Sequence, residues 1–136
     1  MRFVALTLAA CLWGCSLTPT TNECHSDSQC GEDVCARSGE CLARSAIHEV
    51  VIKWTVNSAA ANATSCSAHP ALYLQFDGSD YGDTLRFAPV TCREGQYRVD
   101  RLPRRYVQVQ LGFEGTTGDV SSIDATTTQI QFDLFP

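Results

Sequence analysis

Long hydrophobic runs are missing from this 136-residue chain: the longest, Phe3 to Trp13, falls well short of the roughly 20 apolar residues that span a bilayer as a helix. Positive charge is scarce as well. Ten Lys and Arg stand against fifteen Asp and Glu, a net charge of −5, so no surface built to neutralise a phosphate backbone is expected and nucleic acid is not an expected partner. Catalytic signatures are absent too, with no Gly-x-Ser-x-Gly elbow, no His-Glu-x-x-His pair and no phosphate-cradling glycine loop. The three histidines, His25, His48 and His69, lie in unrelated contexts and read as surface residues. Neither an enzyme nor a cofactor is expected. What the chain does have is enough apolar residues to fold, 44% against 18% charged, and eight cysteines, a number that makes a framework rather than core filler.

The N-terminus reads as an address. Met1-Arg2 gives a short positive start and Phe3 to Trp13 a signal-peptide core. That run ends in Leu12-Trp13-Gly14-Cys15, which resembles a bacterial lipobox, the cleavage site of lipoproteins whose cysteine receives diacylglycerol. Leu8-Ala9-Ala10-Cys11 is a competing match with the smaller residues a lipobox usually carries. Two arguments favour Cys15. Cleavage before Cys11 leaves an apolar core at the short limit for a signal peptide, and it strands Cys15 as an odd thiol in an oxidising compartment. Lipidation at Cys15 leaves six cysteines, an even set. Residues 1–14 are therefore expected to be a signal peptide and 15–23 a lipidated N-terminus with a polar tether, SLTPTTNE, that cannot pack on itself. The resemblance implies an envelope location, with Ser16 after the lipidated cysteine permitting transfer to the outer membrane. Free secretion or residence in the periplasm is the alternative.

Residues 24–42 hold Cys24, Cys30, Cys35 and Cys41 among few apolar side chains, so burial alone cannot hold this segment together and cross-links must. Zinc is the competing reading, but there is no Cys-x-x-Cys knuckle, and exported thiols oxidise. Three disulfide pairings are possible; Cys24–Cys35 with Cys30–Cys41 is favoured because interlocked loops brace each other. The pattern Cys-x2-Asp-x2-Cys, then Gly and Cys-x5-Cys, resembles short Cys-rich modules of secreted proteins, including lipoproteins of myxobacteria and their relatives. Those modules act as spacers or interaction knobs.

From residue 47 to 136 the hydrophobic period is two. Val50, Ile52, Trp54 and Val56 alternate with Val51, Lys53 and Thr55. The pattern returns at Leu72, Leu74, Phe76; Leu85, Phe87; Tyr97, Val99; Val107, Val109, Leu111, Phe113; and Ile130, Phe132, Leu134. Six strands follow, with Val120 to Ile123 as a candidate seventh and turns at Asp77-Gly78-Ser79-Asp80, Arg93-Glu94-Gly95, Leu102 to Arg105 and Gly115 to Gly118. The fold expected is mainly β, an antiparallel immunoglobulin-like sandwich of two sheets. Cys66 and Cys92 are expected to pair, closing a loop worth roughly 3 kcal/mol. The order Trp54, Cys66, LYLQF, PVTC and GQYRVDRLP before Tyr106 resembles the prealbumin-like sandwiches, which include carboxypeptidase-regulatory-type and adhesin stalk domains. Arg104-Arg105 stands where those domains usually carry a glycine.

Two features could bind ligands. Asp77, Asp80 and Asp83 in DGSDYGD could offer oxygens to calcium, but the alternating ligands and terminal Glu of an EF-hand are missing, and a solvated hairpin turn is expected. Arg86, Arg93, Arg98, Arg101, Arg104 and Arg105 form the one basic stretch and could face an anionic polymer, lipid headgroups or an acidic partner; solvent-facing strand positions are the plainer reading. The function expected is that of a membrane-anchored, non-catalytic interaction or structural module, held by its acylated N-terminus and meeting an envelope protein or polymer. The alternative is a secreted or periplasmic domain binding calcium, a glycan or an anionic polymer.

Overall fold

A computed structural model describes residues 23–136. The expected signal peptide, both candidate lipidation sites Cys11 and Cys15, and all of the tether before Glu23 lie outside the described residues. The strands are β1 (Val34–Cys35), β2 (Cys41–Leu42), β3 (Ile47–Val56), β4 (Ala59–Ala60), β5 (Ala71–Gly78), β6 (Thr84–Thr91), β7 (Gln96–Pro103), β8 (Tyr106–Phe113), β9 (Asp119–Ser122) and β10 (Gln129–Leu134). β1 and β2 form a small hairpin of their own. The rest build two sheets. In one, β3 lies between β10 and β7, with β4 paired to its end; in the other the order is β6-β5-β8-β9. Among the described residues no helix is long and apolar enough to cross a membrane.

Alternation explains the layers. Along β3 the side chains of Val50, Ile52, Trp54 and Val56 are buried, while Val51, Lys53 and Thr55 between them are half-buried. Together with Val99 and Leu102 of β7 and Ile130, Phe132 and Leu134 of β10 they face Leu72, Leu74 and Phe76 of β5, Val90 of β6, and Val109, Leu111 and Phe113 of β8. One apolar core thus lies between the two sheets, as a sandwich requires. β9 fills the place of the candidate seventh strand.

Two details depart from simple alternation. β10 pairs with β3 in parallel, in a molecule whose other strand pairs run antiparallel among the described residues, because the chain leaves β9 at the edge of one sheet and returns along β3 in the other. Val107, expected on the core face, is 41% exposed. A register shift between Asp77 and Gly78 sets Gly78 opposite Tyr106, so Tyr106 takes the core position and Val107 is turned out.

The disulfides are Cys66–Cys92, Cys24–Cys35 and Cys30–Cys41. Cys66 and Cys92 are buried at one end of the core, where Trp54 Nε1 donates to the Cys92 carbonyl at 2.7 Å. The bridge therefore ties the loop before β5 to the turn after β6 beneath the largest core side chain of β3. Interlocked spacing is what the other two bridges have: each spans 11 positions, and they overlap.

Candidate functional site: the junction of the disulfide knob and the sandwich

A network of ion pairs forms where residues 24–42 meet the sandwich. The origin is a bulge. Between β3 and β7 the register shifts after His48, leaving Asp100 and Arg101 together opposite Glu49, with Arg101 at φ 57°. A non-glycine residue rarely adopts that conformation. Here it aims the arginine at the knob. Arg101 Nη1 donates to Asp27 Oδ1 at 2.6 Å and to the Cys35 carbonyl at 3.3 Å, while its own carbonyl accepts the Arg37 N–H at 3.2 Å. Asp27 Oδ1 also accepts the Cys35 N–H at 3.0 Å, and Arg37 pairs with Asp100. One bulge thus holds both arms of the knob.

A second clamp lies at the β7–β8 turn. Arg105 donates through Nε to Asp83 Oδ2 at 2.6 Å and through Nη2 to Glu40 Oε2 at 2.5 Å, and its guanidinium sits 5.1 Å from the Tyr106 ring centre. The Tyr106 hydroxyl donates to Asp83 Oδ1 at 3.2 Å. The planar fork of arginine suits such a bridge between two carboxylates. The Asp83 and Glu40 carboxylates hold Arg105 more firmly protonated than usual. Burial, then the negative charge of Asp83, pushes the Tyr106 hydroxyl up to about 12.

These contacts use the groups that the sequence offered as ligand sites. Asp83 of the acidic turn faces Arg105 and Tyr106, and Asp77 accepts from Gln75 at 2.9 Å. The arginine stretch is dispersed rather than gathered into one basic face. Arg98 pairs with Glu49 at 2.7 Å, Arg93 lies 3.6 Å from Glu94, and Arg86 stacks 4.2 Å from the Tyr73 ring centre with Glu114 at 3.6 Å. Arg104 donates to the carbonyls of Ser45 and Ala125. Exposed pairs such as Arg98–Glu49 are screened by solvent and add little to stability. Their value here is in neutralising the stretch.

Other candidates resolve in the same way. Among the described residues, the potential metal ligands whose donor atoms converge, within 4.8 Å of one another, are Cys24, Cys30 and Cys41, and each of these sulfurs is in a disulfide. Asn62 accepts the N–H groups of Thr64 and Ser65 in a local turn. The histidines separate: His25 is exposed and His69 lies against Phe113 at 4.8 Å. His48, expected at the surface, has both ring nitrogens buried without a hydrogen-bond partner. Burial, reinforced by the charge of Arg104, lowers its pKa below the ordinary 6.5.

No sequence signal could have found the junction. Asp27 and Arg101 are 74 positions apart and Glu40 and Arg105 are 65, and the bulge that joins the first pair leaves no mark in hydrophobic period. Chemically the junction is a lock, since Arg37, Arg101 and Arg105 each pair with a carboxylate there. No family profile, curated protein or solved structure matches the chain.

Proposed function

We propose that this protein is a bacterial envelope lipoprotein, acylated at Cys15 and tethered by residues 16–23, whose knob and sandwich form one stiff, non-catalytic interaction or structural module. Outer-membrane anchoring is the location this reading gives it, and an envelope protein or polymer its partner. The observation that carries the non-catalytic part is the junction. Arg101 and Arg105 are bonded to Asp27, Asp83 and Glu40 of the same chain, so the strongest polar groups are consumed in holding the knob to the sandwich. The lipobox and the three disulfides support export. The alternative, a free ligand-binding domain, has less support, because its calcium carboxylate Asp83 and its polyanion arginines already have partners.

Expression of the full chain in a lipoprotein-processing bacterium, followed by detergent phase separation, tests this. The wild type and Cys11→Ser are expected in the detergent phase and Cys15→Ser in the aqueous phase. Wild-type protein in the aqueous phase after leader removal would overturn the anchor. A rise in melting temperature with calcium or a soluble polyanion would favour the ligand-binding reading instead.

A further inference from the structure

We propose that the two bridges of the knob form a thiol–disulfide exchange site, in which a small thiol that opens Cys30–Cys41 causes Cys24–Cys35 to open in turn. The geometry is that of three sulfurs from two bonds. The Sγ atoms of Cys24, Cys30 and Cys41 all lie within 4.8 Å of one another, although Cys24 is bonded to Cys35. Cys35 Sγ falls outside that group. A Cys30 or Cys41 sulfur freed from its partner therefore has Cys24 Sγ within 4.8 Å, close enough for exchange at Cys24 after a small local movement.

Burial is graded in the same order. Cys30 and Cys41 are half-buried, and with Cys24, Gln29 and Glu40 they line a groove of about 520 Å³, large enough for a small thiol. Cys24 and Cys35 are buried, at 6% and 8% exposed. The Cys66–Cys92 bridge is buried at 3% and 0% in the sandwich core, away from this cluster. Glu23 and Glu40 line the groove, so a neutral thiol enters more readily than an acidic one.

The electrons balance without an added oxidant. The external thiolate attacks one sulfur of Cys30–Cys41, forming a mixed disulfide there and releasing the other cysteine as a thiolate. That thiolate attacks Cys24 Sγ, a new bridge forms to Cys24, the Cys24–Cys35 bond breaks, and Cys35 leaves as a thiolate that takes a proton from water. One external thiol is consumed and the number of protein bridges falls by one. The released Cys35 is the residue whose N–H and carbonyl are held by Asp27 and Arg101. Exchange thus begins at the groove and ends at the clamp between knob and sandwich.

The test uses the oxidised full chain with a limiting amount of 2-mercaptoethanol, quenched with N-ethylmaleimide and mapped by peptide mass. The expected products are alkylated Cys35, a bridge from Cys24 to Cys30 or Cys41, and a mixed disulfide on the remaining one. In Cys30→Ser/Cys41→Ser the Cys24–Cys35 bridge is expected to open several-fold more slowly than in the wild type. Alkylation confined to Cys30 and Cys41 with Cys24–Cys35 intact would overturn the proposal. So would equal opening of Cys24–Cys35 in the double variant, or labelling of Cys66 and Cys92 as fast as Cys35. None of these readouts depends on acylation at Cys15.

Discussion

Arg105 joins three parts of the chain, since its fork bonds Asp83 of the β5–β6 turn and Glu40 of the knob while its own turn leads straight into Tyr106 of the core. Arg105→Ala is expected to destabilise the fold by about 1–2 kcal/mol, because Asp83 loses its charged donor in a partly covered site and solvent repays part of the loss. Arg105→Lys should recover less than half of that, since an ammonium lacks the planar fork that reaches both carboxylates. Chemical denaturation at neutral pH measures both. His48 contributes to the loss of stability on the acid side. Its ring is kept neutral by burial first and by Arg104 second, with Asp124 opposing, so the unfolded chain binds this proton more readily than the folded one. Stability is therefore unaffected by His48 well above pH 6.5 and falls as the pH drops below 6.5, where only the unfolded state takes the proton. A pH series of melts on His48→Leu should show a shallower decline below 6.5 than the wild type; an unchanged slope would exclude His48 as its source. Neither residue's role was readable from sequence. An arginine in a basic stretch and a histidine on a strand look alike whether they face solvent or another segment, and only the fold supplies their neighbours.

Strands were legible because burial on one face of a sheet imposes a period of two that survives in composition. In β3 the buried residues are the alternating ones the sequence displays, and β5 and β10 behave likewise at Leu72, Leu74, Phe76 and at Ile130, Phe132, Leu134. Bulges were not legible, because an inserted residue changes the face of everything beyond it without changing residue types. Val107 reads as a core position and is turned out by such a shift, and the β7 bulge that aims Arg101 at the knob is equally silent. The parallel β10–β3 pair was also hidden, since alternation does not report strand direction. One glycine tests the outer face of the other sheet. A Cβ on Gly118 would lie 2.5 Å from the Leu111 carbonyl oxygen and 2.7 Å from the Tyr73 hydroxyl, which accepts the Gly118 N–H at 2.7 Å. Backbone on one side leaves no room to give. Gly118→Ala should lower stability by about 1–3 kcal/mol in denaturant titration, as forced overpacking does, whereas Gly115→Ala, at φ 85° with nothing near its Cβ, meets backbone strain alone.

For the whole molecule, sequence and fold contribute different halves of the account. The even set of six cysteines and the change to a two-residue period describe a cross-linked segment and a β domain, and the lipobox resemblance adds an expected leader; the fold shows how the first two are joined. The junction converts a small, coreless knob into part of the larger body, through Arg101 and Arg105 on one side and Asp27, Glu40 and Cys35 on the other. A stiff body on a short lipidated tether is the account's central claim, and the intact mass of the protein recovered from membranes tests it most directly. The account predicts a chain beginning at Cys15, carrying a diacylglycerol and amide-linked acyl increment, that gains the mass of six hydrogens on reduction, two for each of the three bridges. A mass that begins at Met1, or that lacks the lipid increment, or that is unchanged by reductant would contradict it.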